Sequence, residues 1–88
     1  PDCRSSFIRP MHEAIHEGTG NHVSISAPYT DLTKGEIAAH GKKLGIDYAE
    51  TWSCYEGDTI QCGTCGTCIE RREAMQEAGI IDPTQYKE

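Results

Sequence analysis

Residues 54–68, CYEGDTIQCGTCGTC, carry four of the five cysteines of the chain in the spacing C-x7-C-x2-C-x2-C. A C-x2-C step turns the chain tightly enough to aim two sulfurs at one point. Gly63 and Gly66 directly follow cysteines, where such turns often need a positive φ. Zinc takes four soft donors at about 2.3 Å in a tetrahedron. The spacing therefore predicts one structural metal site, zinc in the simplest interpretation, with the ligands Cys54, Cys62, Cys65 and Cys68.

Two other uses of these thiols stay open at this point. Four thiolates also hold iron–sulfur clusters, in which C-x2-C-x2-C occurs, and spacing alone does not separate zinc from iron. Disulfides are the second alternative. The clustering of four cysteines away from Cys3, and the lack of a signal-peptide pattern, favour reduced cytoplasmic thiols and a metal instead.

Composition restricts the partners of the chain. The formal net charge of the 88 residues is −6, and an acidic surface does not attract a phosphate backbone, so we expect no direct nucleic-acid binding. No apolar run approaches the roughly 18 residues of a membrane helix. The chain starts abruptly with PDCRSS, which predicts a fragment of something longer. The sequence leaves the oligomeric state, including a homo-oligomer, open.

Two elements are predicted before the middle of the chain. A helix is expected over residues 5–17, because apolar residues recur on one face at helical spacing. If Ser5 or Ser6 caps this helix, Pro10 lies near the end of its first turn, and otherwise Pro10 kinks it. That face is formed by Phe7, Ile8, Met11, Ala14, Ile15 and Gly18. Residues 22–27 alternate apolar and polar side chains, which predicts one short strand.

Two further helices are predicted. Thr33 and Glu36 have the spacing of a capping box, so a helix should run from there to about Leu44. Its expected buried stripe is Ile37, Ala38, Gly41 and Leu44. A last helix should begin near residues 65–67 and end at Ala78 before Gly79. Residues 80–88, with Pro83, are expected to be a frayed or linker-like tail.

Two polar features outside the cysteines allow a functional interpretation. His12, Glu13 and His16 fit H-E-x-x-H, the zinc motif of metalloproteases, but no third ligand follows in the extended form of that motif. Lys34 opens the second helix, where free N–H groups and a lysine can hold a phosphate. A solvated lysine in the first turn is the simpler interpretation. Trp52 and Tyr55, which flank Ser53-Cys54, are expected to pack around the metal site.

The string TWSCYEG…CGTCGTCIERREA resembles the C-terminal zinc segment of the 7-cyano-7-deazaguanine synthases, the QueC family of the queuosine pathway. PDCR at the start and APYTDLTKGEIAAHGKKLGIDYAETWSCYEG in the middle are also similar to that family, in the same order. The likeness extends over nearly all of the chain.

The resemblance implies a fold and a site. It implies an α/β architecture, in which this chain is the C-terminal fragment of an adenine-nucleotide alpha hydrolase-like (PP-loop) fold with a helical zinc-binding extension. The fragment itself would be mostly α with one short strand. Residues 1–50 would complete the nucleotide-binding domain, residues 51–79 would bind zinc, and residues 80–88 would be a tail. The family's zinc ligands fall on the four clustered cysteines, and Arg4 and Lys34 become candidate phosphate or substrate contacts. The resemblance assigns no catalytic residue.

It also implies a reaction. The family is a cytoplasmic ligase that converts 7-carboxy-7-deazaguanine, ammonia and ATP to 7-cyano-7-deazaguanine (preQ0) for queuosine and tRNA modification. The family's ATP-binding loop, S-G-G-x-D-S, is absent from these residues, so we expect turnover to need an N-terminal half of the same protein. The alternative is a stand-alone zinc knuckle that mediates protein contacts without catalysis.

Overall fold

The structure is a computed structural model that describes residues 1–87. It contains the helices α1 (Ser5–Gly18), α2 (Lys34–Lys43) and α3 (Gly66–Ala78), with a short 3₁₀ helix at Tyr48–Glu50. The chain forms two compact units, one of residues 1–32 and one that begins at Thr33. The division expected at residues 50 and 79 concerns a larger parent domain and stays a prediction. No helix within residues 1–87 has the length and apolar character needed to cross a bilayer.

The first unit is built on α1. The structure confirms the predicted helix. Its N-cap is Arg4, which makes no side-chain cap, so neither Ser5 nor Ser6 caps it, and Pro10 lies inside the helix. At the other end, the Thr19 hydroxyl donates to the carbonyl of Ile15 at 2.8 Å. No residue of α1 is buried, and Phe7 remains 40 % exposed.

Residues 22–27 do not form the predicted strand. An extended segment becomes a strand only when a neighbour completes its hydrogen-bond ladder, and within residues 1–87 the sole β-type pairing is an isolated parallel bridge between Gln61 and Tyr86. The Ile25 N–H donates instead to Nδ1 of His12 at 2.9 Å. The described part of the chain is therefore mostly helical, without a strand.

The second unit begins with the predicted capping box. The Glu36 N–H donates to the Thr33 hydroxyl at 3.1 Å, and the Thr33 N–H donates back to Glu36 Oε1 at 3.0 Å. Glu77 of α3 adds a tertiary cap, because its carboxylate accepts from the Gly35 N–H and the Thr33 hydroxyl, both at 3.1 Å. These bonds join the start of α2 to the end of α3.

The buried side of α2 is shifted from the expected stripe. Gly35, Ala38 and Gly41 are buried, whereas Ile37 and Leu44 are 36 % and 66 % exposed. Small residues three apart form a flat ridge that lets a second helix approach closely. The burial of α2 is therefore set by small side chains facing α3, and the expectation that Ile37 and Leu44 are buried is wrong.

Gly41 gives this packing a direct test. A Cβ at Gly41 would lie 2.1 Å from the hydroxyl of Tyr48, which donates to the Ala38 carbonyl at 2.8 Å. We expect Gly41→Ala to displace Tyr48 and to lower the free energy of unfolding by about 2 kcal/mol, through overpacking and the lost hydrogen bond. Gly66→Ala is the control, since a Cβ at Gly66 would meet nothing within 4 Å. Equal effects in denaturant titrations of the two variants would contradict this explanation.

The C-terminal segment packs on α3, so the expectation of a frayed tail is wrong for residues 80–87. Arg71 donates through Nε to the Thr84 hydroxyl at 2.8 Å. The guanidinium of Arg72 lies 4.0 Å from the centre of the Tyr86 ring. The Tyr86 hydroxyl donates to the Asp82 carboxylate at 2.6 Å. One segment thus makes both a cation–π contact and charge-assisted hydrogen bonds, which ordinary tails lack.

Tyr86 makes this docking dependent on pH. Burial, followed by the hydrogen bond to Asp82, raises the pKa of Tyr86 above its usual value. A raised pKa contributes stability that is complete below about pH 10 and is lost as the pH rises through the folded-state value. We expect Tyr86→Phe to lose about 1 kcal/mol of stability at pH 7. In urea titrations the difference from the wild type should shrink above pH 10, and a constant difference would contradict a role for the hydroxyl proton.

Candidate metal centre

The four clustered cysteines converge from different parts of the second unit. Cys54 follows the extended segment 51–53, and Cys62 lies in the loop that leads to α3. Cys65 is the N-cap of α3 and Cys68 lies in its first turn. The four Sγ atoms lie within 4.8 Å of one another, so this group can hold a metal ion. All five cysteines are free thiols, which contradicts the disulfide alternative.

The sulfur separations fit a tetrahedral ion. Metal–sulfur bonds of about 2.3 Å give a tetrahedron with sulfur–sulfur edges of about 3.8 Å. The Cys62 and Cys68 sulfurs are 4.0 Å apart, and the Cys65 and Cys54 sulfurs are 3.9 Å apart. Cys54 and Cys68 are buried, with exposed fractions of 6 % and 0 %. The donors therefore suit a thiophilic metal enclosed by protein.

Gly63 makes the turn between Cys62 and Cys65. Its φ is +81°, the left-handed region that glycine tolerates best. A Cβ there would also lie 2.8 Å from Nη2 of Arg72 and 3.0 Å from Cβ of Tyr86. Gly66, for which a positive φ was also expected, lies instead in the first turn of α3 without one. Only the first of the two C-x2-C steps needs the conformational freedom of glycine.

Backbone N–H groups surround the sulfurs. The Cys54 sulfur accepts from the N–H groups of Glu56, Gly57 and Cys62, at 3.3, 3.1 and 3.2 Å. The Cys62 sulfur accepts from the N–H groups of Thr64 and Cys65, at 3.4 and 3.2 Å. Each donor offsets part of the negative charge that four thiolates would bring to a divalent ion. The loop is thus arranged for anionic sulfur.

The thiols differ strongly in acidity. The Thr67 hydroxyl, 3.1 Å from the sulfur, followed by backbone N–H groups, lowers the pKa of Cys65 to about 5. Burial raises the pKa of Cys68 to about 12. The backbone N–H of Thr64, followed by its hydroxyl, lowers the pKa of Cys62. The more accessible sulfurs, those of Cys62 and Cys65, therefore favour the thiolate form that binds a cation. A metal held by all four cysteines would have to displace the proton of Cys68.

The other candidate residues are not members of this cluster. Lys34 forms an ion pair with Glu70, and the two side chains are 66 % and 53 % exposed. Arg4 belongs to the first unit, where its backbone precedes α1. Neither residue contributes to the group of sulfurs.

His12 and His16 lie together on α1, with ring centroids 5.5 Å apart. Nδ1 of His12 already accepts the N–H of Ile25. Within residues 1–87, the cysteines are the one group of three or more metal-binding side chains that converge. The H-E-x-x-H motif therefore finds no third ligand in the described part of the chain.

Gln61 supports the site although no motif pointed to it. Its side chain is 4 % exposed and its Oε1 accepts from the N–H and hydroxyl of Ser53, both at 3.4 Å. Its Nε2 donates to the Thr51 carbonyl at 3.3 Å, and its own carbonyl accepts the Lys87 N–H at 2.7 Å. Gln61 thereby joins the segments that precede Cys54 and Cys62. A single buried glutamine beside a cysteine gives no recognisable signal in a sequence.

The two aromatic residues beside Cys54 are not packed around it. Trp52 is 50 % exposed and Tyr55 is 84 % exposed, so the expectation that they enclose the metal site is wrong. The Trp52 indole N–H donates to the Cys54 carbonyl at 2.8 Å. The hydrogen bond fixes the indole beside the cysteine loop while leaving much of the ring uncovered.

Comparison with known proteins identifies the family of the chain. Residues 1–79 match the model of the family described as Queuosine biosynthesis protein QueC. The chain belongs to the QueC family. This match confirms the resemblance noted from the motifs. The QueC match includes all four clustered cysteines and ends before the C-terminal segment that packs on α3.

Three curated relatives of this QueC chain share one name. The 7-cyano-7-deazaguanine synthase of Porphyromonas gingivalis is 66 % identical over 99 % of the chain and 40 % of its own length. Those of Methanoregula boonei and Rhizobium etli are 49 % and 46 % identical, over 99 % and 100 % of the chain and 40 % and 38 % of their own lengths. The chain thus spans about two fifths of the relatives that it matches. No solved structure matches it.

Proposed function

We propose that this chain is the metal-bearing part of an ATP-dependent, nitrile-forming ligase. The reaction is the conversion of 7-carboxy-7-deazaguanine, ammonia and ATP to 7-cyano-7-deazaguanine. The observation that carries this proposal is the match of nearly the whole chain, including its cysteine cluster, to synthases of that name. We place the protein in the cytoplasm, where free thiols stay reduced.

The cluster supplies structure rather than chemistry in this proposal. A catalytic zinc keeps one position open for water or substrate, whereas a structural site takes all four ligands from the protein. Here four sulfurs converge and two of them are buried. Zinc suits this set, and its role would be to fix the loop 54–68 in place. Elemental analysis by mass spectrometry distinguishes zinc from iron.

Lys34 is our candidate for a phosphate contact. It lines a cavity of about 200 Å³ together with Ser53, Thr67 and Arg71. The positive charges of Lys34 and Arg71 attract phosphate oxygens. The hydroxyls of Ser53 and Thr67 are already bonded to Gln61 and to the Cys65 sulfur, so the proposed contact is that of Lys34. Glu70 also lines this cavity and holds Lys34 in an exposed ion pair, which costs little to open. Arg4 is a second proposed contact to substrate, on the basis of the PDCR likeness alone.

The test is the reaction itself in the full-length protein that carries this chain. We expect ATP-dependent formation of 7-cyano-7-deazaguanine, followed by chromatography. Lys34→Met should lower kcat/KM for ATP by about 10²-fold, the usual scale for losing one charge-stabilising donor. Lys43→Met, on the same helix but outside the cavity, is the matched control. Absence of nitrile with the wild type would remove the proposed function, whereas equal activity of the two variants would remove only the role of Lys34.

No observation favours the alternative of a stand-alone zinc knuckle. Each relative described above is named as a synthase, and the likeness extends well beyond the cysteines. A contact module would form no nitrile from 7-carboxy-7-deazaguanine, ammonia and ATP, so the same assay separates the two functions.

A further inference from the structure

A cavity of about 390 Å³ adjoins the cysteine loop without being part of the sulfur site. Its walls include Trp52, Thr59 and Ile60, together with Pro83 and Gln85 of the C-terminal segment. None of its lining residues is charged, although the chain contains 8 Lys and Arg and 14 Asp and Glu. Its size lies in the range of small-molecule sites, about 300–1,000 Å³. An uncharged cavity in so charged a chain favours an uncharged ligand.

Trp52 supplies a fixed aromatic wall. Its N–H already donates to the Cys54 carbonyl, so its one hydrogen-bond donor is satisfied. The half of the residue that remains exposed can therefore act as an apolar surface. A free aromatic face is an attractive surface for another flat ring, and stacking of a base on an aromatic side chain contributes about 1–3 kcal/mol. The indole is therefore oriented before any ligand arrives.

Two polar groups in the same walls remain unused. Within residues 1–87, neither the Thr59 hydroxyl nor the Gln85 amide has a hydrogen-bond partner. The amide of Gln61, by contrast, is already hydrogen-bonded to Ser53 and Thr51. The cavity therefore combines one flat apolar wall with a few available donors and acceptors, the usual composition of a specific ligand site.

We propose that this cavity binds the planar, uncharged ring system of a purine-like heterocycle, stacked on Trp52 and hydrogen-bonded at its edge by Thr59 and Gln85. The identity of the ring rests on the proposed function, which makes it the deazaguanine of the substrate and product. Anionic groups belong elsewhere, since no cationic side chain lines the cavity. The C-terminal segment beyond the QueC match then contributes to ligand binding through Gln85.

The single tryptophan of the chain provides the measurement. The metal-loaded chain is titrated with 7-cyano-7-deazaguanine while Trp52 emission is recorded, with N-acetyltryptophanamide correcting for light absorbed by the ligand. We expect saturable quenching by this ligand and by guanine, and none by cyclohexanecarboxamide, which is uncharged but not planar. Quenching by all three, or by none, overturns the proposal.

Variants then test the stacking contact by calorimetry. Trp52→Ala should weaken binding by about 10–100-fold, the equivalent of one lost stack, and Trp52→Phe should restore most of it. Tyr55→Ala is the control, because Tyr55 is the most exposed aromatic residue beside the loop and does not line the cavity. Gln85→Leu tests the same wall without disturbing the loop. Unchanged affinity in Trp52→Ala and Gln85→Leu contradicts the proposal.

The two proposals fail separately. Suppose that the full-length protein forms the nitrile and that Trp52→Ala leaves the KM for 7-carboxy-7-deazaguanine unchanged. The proposed reaction would then stand, and the cavity would have no part in binding its substrate. If the ring binds in a way that depends on Trp52 but no nitrile is formed, the ligand-binding cavity would stand and the proposed reaction would be wrong.

Discussion

Replacing Cys68 with serine is expected to remove the metal and, with it, the fixed structure of residues 52–70. Cys68 is a fully buried member of the sulfur group, and a serine hydroxyl is a poor ligand for a thiophilic ion. The described core of this segment contains few large apolar side chains. The binding free energy of a structural zinc, about 10–16 kcal/mol in zinc-finger peptides, is largely folding free energy in such a case.

The measurements are metal content by mass spectrometry and the near-UV circular dichroism of Trp52, which lies beside the loop. Cys3→Ser is the matched control, because it makes the same substitution at an exposed cysteine outside the cluster. We expect Cys3→Ser to keep its metal and its spectrum. A metal content in Cys68→Ser equal to that of the control would show that Cys68 is not a ligand.

Replacing Arg71 with methionine is expected to have the second largest effect. The guanidinium donates to the Tyr48 carbonyl at 2.8 Å, to the Thr51 hydroxyl at 2.7 Å and to the Thr84 hydroxyl at 2.8 Å. It thus joins α3 to the segment before Cys54 and to the C-terminal segment. Hydrogen bonds to charged groups contribute about 1.5–3 kcal/mol each, and they overlap here, so we expect a loss of about 3 kcal/mol.

Arg72→Met gives the comparison on the same helix. Arg72 is exposed and makes a cation–π contact with the Tyr86 ring, so its loss should cost about 0.5–1 kcal/mol. Urea titrations of both variants measure the difference. Arg71→Met should also increase proteolytic cleavage after residue 79, since Thr84 loses its partner. A smaller effect in Arg71→Met than in Arg72→Met would show that the neighbouring arginines have been assigned the wrong roles.

Local features were the most predictable from the sequence. The capping box of Thr33 and Glu36, and the end of α3 at Gly79, follow from hydrogen bonds between residues a few positions apart. The convergence of the cysteines was likewise expected from short spacings, and the structure brings the same four sulfurs together. Their role as metal ligands stays a prediction that the Cys68 experiment addresses.

Features that depend on distant partners were not predictable. The alternation in residues 22–27 indicated a strand, yet the described chain offers no neighbour to complete a ladder. Pro83 and the polar residues around it indicated a loose tail, yet Arg71 and Arg72 hold it through Thr84 and Tyr86. No periodicity or short motif records such contacts, because they join residues 12 or more positions apart.

The sequence by itself determined where α2 begins, where α3 ends and which four sulfurs can share one ion, because each depends on backbone geometry over a few residues. The tertiary structure alone decided that a small-residue face of α2 meets α3 and that Gln61 and Arg71 brace the cysteine loop. It also decided that Trp52 faces a cavity rather than a core. The physical reason is that burial and long-range hydrogen bonds depend on residues that are far apart in the sequence. These residues come into contact only when the helices and loops have packed together.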